Sequence, residues 1–131
     1  MIKTITNMEA EAVSLALKDV TDLDDKLPTE VGFRIIQNFK AFSYYADTYR
    51  KERDRLIRTY SNGGDTINKG DEGFDECISE IEKLSMMTVE VDVQEIDAEL
   101  LSGLSIPMKC MSALMFITKD DGEIQNENSE I

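Results

Sequence analysis

The sequence contains no histidine and no tryptophan. Histidine is the side chain that titrates near neutral pH unaided and the commonest metal ligand, so Ser-His-Asp, Cys-His and His-zinc schemes are excluded for this chain by itself. Any catalysis would fall to carboxylates, lysine, tyrosine or a partner subunit. Cysteine is almost as scarce. Cys77 and Cys110 form no CxxC or zinc spacing, which predicts two buried free thiols in a reducing compartment. Positive charge is short as well: 14 Lys and Arg face 27 Asp and Glu, a net of −13. A chain of that sign repels phosphate backbones, and direct nucleic-acid binding is disfavoured. No apolar run approaches the roughly 20 residues that span a bilayer. The opening MIKTITNMEAEA lacks the apolar core of a secretory signal. These absences predict a non-membrane, cytoplasmic protein without a cofactor.

What is present is a globular composition, 41% apolar and 31% charged, sufficient for one core in a chain of 131 residues. A single domain is expected over residues 1–118. Residues 119–131, polar, acidic and aperiodic, are expected to form a disordered tail.

Ile2, Thr4 and Ile5 suggest a short strand, and Thr6-Asn7-Met8-Glu9 has the form of a capping box, so a helix should start there and run to about Val20. Met8, Ala12, Leu15 and Ala16, flanked by Val13 and Leu17, supply its apolar face. Pro28 suits the entry to a second helix. With no Gly or Pro between Phe33 and Ser61, that helix is expected from Thr29 to Tyr60, with Val31, Ile35, Phe39, Phe42, Ala46, Tyr49, Leu56 and Tyr60 on its apolar side and Arg53 in the gap. At 1.5 Å per residue it is roughly 48 Å long, against a radius of gyration of about 14 Å for a compact domain of this size. It should therefore project, kink or meet another chain.

Four glycines in residues 61–73 mark a mobile loop. Phe74, Cys77, Ile78, Ile81 and Leu84 then fall on one helical face. Val89, Val91 and Val93 alternate with Glu90, Asp92 and Gln94, the pattern of a strand with one wet side. Its natural partner is the N-terminal strand. Asp97 is placed to cap a short turn ending at Gly103. After Pro107 the segment from Met108 to Ile117 is apolar nearly all round, which predicts a helix buried in the core or lying at a partner surface. The fold class is α+β and mainly helical, with a long central helix, shorter packed helices and a small two-stranded ribbon.

Charge is unevenly placed. Residues 50–58 carry Arg50, Lys51, Arg53, Arg55 and Arg58 against Glu52 and Asp54, a net of +3. One reading is internal compensation, through the acidic third helix or i,i+4 pairs such as Asp54–Arg58. The sharper reading is a partner anchor built from Tyr49, Arg50, Arg53, Arg55 and Tyr60, residue types enriched in interface hot spots. Residues 71–100 carry eleven acids and one lysine. A face of Glu76, Glu80, Glu82, Glu90, Asp92, Glu95, Asp97 and Glu99 could imitate a nucleic-acid backbone toward a basic partner, or simply keep the protein soluble. Ile67 and Lys69 stand where a calcium loop starting at Asp65 needs oxygen ligands, and the glycines lack P-loop spacing. No carboxylate pair is singled out by an apolar setting, so no enzyme is expected. The seven methionines fit core packing first and an adaptable binding surface second.

Taken in order, IKTITNMEAEAVSLAL at residues 2–17, Lys26-Leu27-Pro28, the run from Tyr49 to Tyr60, TVEVDV at 88–93 and LMFI at 114–117 resemble a family of small proteins encoded by phages and prophages of Gram-positive bacteria. The resemblance spans residues 2–117, with 61–73 as a variable insertion, and brings no catalytic residues. It implies a protein of the host cytoplasm that binds a host protein, blocks a defence system or assists virion assembly. The leading expectation is an inhibitor or modulator of a host or anti-phage defence protein. The alternative is a tail or capsid chaperone or scaffold that self-associates through the long helix.

Overall fold

The computed structural model describes residues 1–22, 27–104, 106 and 108–118, so the tail expected at 119–131 lies outside the described residues. Its elements are β1 (Ile2–Thr6), α1 (Asn7–Thr21), α2 (Thr29–Tyr60), α3 (Phe74–Met86), β2 (Thr88–Asp92), α4 (Ala98–Leu101) and α5 (Met108–Ile117). The chain is α+β and mainly helical. Among the described residues no helix is long and apolar enough to cross a membrane.

The capping box closes as its sequence requires. Thr6 Oγ1 accepts from the Glu9 amide at 3.1 Å, and the Glu9 carboxylate accepts from the Thr6 amide at 3.0 Å. Two amides that the first helical turn leaves without partners are thus satisfied. Asp97 occupies the corresponding place before α4, but its side chain makes no capping bond, contrary to the expectation. Gly73 has φ +85°, and a Cβ there would meet the Tyr60 carbonyl oxygen at 3.2 Å. Glycine lets the end of α2 and the start of α3 approach this closely.

The long helix neither projects nor requires a second chain to cover its core-facing side. Val31, Ile35, Phe42, Ala46, Tyr49 and Leu56 are buried along nearly its whole length. The Ser14–Ser43 and Glu11–Arg50 contacts show that α1 runs antiparallel beside its middle. α3 begins against Tyr60 and ends where the Leu84 carbonyl accepts from Asn7 Nδ2 at 2.9 Å, so it runs back along the distal half. One long helix is covered by shorter ones laid in succession, which is how a rod longer than the compact radius is accommodated.

The two strands pair antiparallel with Ile2 opposite Asp92 and Thr6 opposite Thr88. Ile5, Val91 and Val93 turn inward, and Thr4, Glu90 and Asp92 face water. Lys3 also lies on the inner side. Its ammonium donates to the Phe116 carbonyl at 2.8 Å and sits 4.4 Å from the centroid of that ring, tying the ribbon to the C-terminal end of α5. The core gathers residues from α1, α2, both strands and α5, including Leu17, Ile35, Phe42, Val91, Ile96 and Ile117.

Several expected faces are rotated. On α1 the buried positions are Asn7, Ala10, Ser14, Leu17 and Val20, whereas Met8 and Leu15 are exposed. Polar residues occupy this seam because they find partners there: Ser14 Oγ meets Ser43 Oγ at 2.9 Å, and Asn7 reaches the end of α3. On α2, Asn38 is fully buried and Phe39 only partly so. The Asn38 side chain donates to the Gln94 carbonyl at 2.9 Å and accepts from the Gln94 amide at 2.8 Å. It therefore serves as a strand neighbour just beyond β2. On α3 only Cys77 is fully buried. The loop at 61–73 is a succession of turns closed by bonds such as Asn68 amide to the Asp71 carboxylate, 2.8 Å.

Candidate protein-binding surface

The basic end of α2 is largely engaged within the chain. Arg50 Nε donates to Glu11 Oε2 at 2.9 Å, and an Arg53 terminal nitrogen reaches the same oxygen at 3.3 Å. Arg50 also pairs with Asp47 at 3.2 Å. Compensation therefore comes from α1 for this pair, in place of the acidic third helix. Burial lowers the Arg53 pKa, but Glu11 and Tyr49 outweigh it, and the net shift is upward. The Arg53 guanidinium lies 4.9 Å from the Tyr49 ring centroid. Tyr49 is only 5% exposed and belongs to the core, so its placement among surface contacts is corrected. Tyr60 is half-buried beside Gly73. Arg55 is exposed, with Nε and a terminal nitrogen each 2.7 Å from a Glu52 oxygen. That hydrogen bonding holds the Glu52 carboxyl below its usual range.

The expected acidic face is distributed over separate elements. Glu76 and Glu80 lie four apart on one side of α3, with Glu80 paired to Lys83 at 3.3 Å. Glu90 and Asp92 project from the outer side of the ribbon, and Glu95 is half-buried after it. Burial pushes the Cys77 thiol up, and both cysteines are free and buried. Among the described residues no group of His, Cys, Asp and Glu is arranged to hold a metal.

A different surface emerges at α4 and α5. Cys110, Ala113, Leu114 and Ile117 turn into the core, which leaves Met108, Met111 and Met115, at steps of three and four, on the opposite side. Their exposures are 90%, 39% and 70%. With Leu101, Leu104 and Ile106 they line an open groove of about 550 Å³, edged by Ser102 and Thr118. None of its described lining residues is charged. The expectation of methionines in the core is overturned: all seven are exposed. Among the described residues one face of α5 enters the core and the face with the three methionines does not. In the sequence this helix is apolar nearly all round, which fits either setting; the spacing of Met108, Met111 and Met115 is the signal for the open face.

A second cleft of about 540 Å³ lies between α1 and α2, lined by Leu15, Phe39, Lys18, Asp47 and the Glu11–Arg50 pair. Its charged groups largely satisfy one another. Large apolar side chains also stand on the side of α2 away from the core, with Phe33 61% and Tyr44 68% exposed and Ile36 between them. No protein-family model, curated protein or solved structure matches the chain.

Proposed function

We propose that this chain is a small non-enzymatic binding protein of phage or prophage origin. It acts in the host cytoplasm by occupying a surface of a host or anti-phage defence protein and so modulating it. The observation that supports this reading is the methionine-lined groove. Contiguous exposed apolar surface is uncommon on monomeric soluble proteins and marks sites of association, and methionine adapts to partner shape at little cost. The −13 charge keeps such a protein soluble while the groove is open. Arg55 and the outer acids Glu90 and Asp92 flank other faces and serve solubility or secondary contacts.

Affinity capture with the wild-type chain, Met115→Glu and Arg55→Ala, quantified by mass spectrometry, tests this. The partner should be retained by Arg55→Ala and lost from Met115→Glu. Equal recovery by all three would refute the assignment to the groove.

A second reading, an assembly protein that self-associates through the long helix, is favoured by the outward Phe33, Ile36 and Tyr44. Light scattering separates the two: a monomer whose mass is unchanged by Phe33→Glu supports the first, and an oligomer dispersed by that change supports the second.

A further inference from the structure

We infer that the α4–α5 groove is a receptor for a basic amphipathic helix, one whose leucine-like face is flanked by lysine or arginine. The inference rests on the binding reading above and adds the chemistry of the partner.

The groove floor is apolar and carries no described charge, and the Ser102 and Thr118 hydroxyls at its edges are too few to pair with an extended peptide backbone. A helix satisfies its own backbone and presents only side chains, which is the form of ligand an apolar groove accepts. Methionines at steps of three and four along α5 match the spacing of one face of such a helix. The surroundings determine the sign of the flanks. Asp97 and Glu99 are exposed and bracket Ala98, itself part of the groove wall, and Glu95 stands just before them. No ion pair joins these three acids to a described lysine or arginine. Residues 95–104 carry these three acids and no lysine or arginine. Most of the arginines lie on the distal half of α2. An apolar helix with a basic rim is therefore drawn to this end of the molecule and held by the methionines once there. A second copy is a poorer occupant, because it brings the same −13 and the same acidic rim.

The test follows the methyl resonances of the seven methionines in the full chain. The probe is a synthetic peptide with leucine every three or four positions and lysine elsewhere. A scrambled peptide of the same composition and a peptide with glutamate replacing lysine are the controls. The Leu/Lys helix should shift Met108, Met111 and Met115 and leave Met1 and Met8 still, bind about tenfold or more tightly than either control, and weaken as salt rises. Met115→Glu, exposed and tolerant of charge, should lose that binding, with Met108→Glu as a second variant. Equal binding of the glutamate peptide would overturn the basic-helix inference while leaving a docking groove. Shifts dispersed over all methionines, or equal binding of the scrambled peptide, would reduce the effect to bulk charge and overturn it too. Methionine shifts on deleting residues 119–131, or on concentrating the free protein, would identify the tail or a second copy as the occupant and likewise overturn it.

Discussion

At the scale of single residues, stability depends on polar groups buried where the pattern suggested apolar ones. Asn38 satisfies both the amide and the carbonyl of Gln94. Asn38→Ala leaves both without that partner and should cost about 2–4 kcal/mol, read as a lower denaturation midpoint at unchanged slope. The Glu52–Arg55 pair differs, being on the surface with side chains 39% and 56% exposed. Its folded-state carboxyl value is depressed, so its contribution is present above the unfolded value and is lost as pH falls through the folded one. Arg55→Ala should return the Glu52 titration, followed by carboxyl-carbon NMR, to the ordinary range with little change in melting temperature. No change in that titration would show that the contact does not persist in solution.

At the scale of elements, α1 is fixed to α2 by the Ser14–Ser43 contact and by Glu11, whose side chain is 20% exposed. Glu11→Ala leaves Arg50 and Arg53 without their shared acid and should destabilise the protein by about 1 kcal/mol, discounted for solvent access. It should also speed amide exchange in α1 more than in α3, as measured by hydrogen exchange. This is also where the sequence was most and least readable. The Thr6 capping box, the run from Phe33 to Tyr60 without Gly or Pro and the valine alternation at 89–93 are local signals, and each produced its element. Which side of α1 is buried was not legible, because Asn7 and Ser14 become core residues only through Leu84 and Ser43, both remote in sequence. For the same reason the Arg50 and Arg53 cluster looked available, when its acid is Glu11 on another helix. The groove was half legible: the apolar helix at 108–117 was evident, but not that Leu101, Leu104 and Ile106 would form a wall opposite its methionines.

For the molecule as a whole, the charge separation seen along the chain becomes a division of surfaces. Arg50, Arg53 and Arg55 on α2 are paired with Glu11 of α1 and with Asp47 and Glu52, and the exposed apolar surface of α5 shares a groove with α4, where Asp97 and Glu99 are exposed. Binding should therefore occur at α4–α5, with the distal half of α2 as scaffold. The most direct measurement places a photo-crosslinking residue at position 111 in one variant and at position 55 in another, in cells where the protein is active, and identifies the adducts. A heterologous adduct is expected from position 111 and none from position 55; a partner crosslinked only from position 55 would contradict binding at the α4–α5 groove.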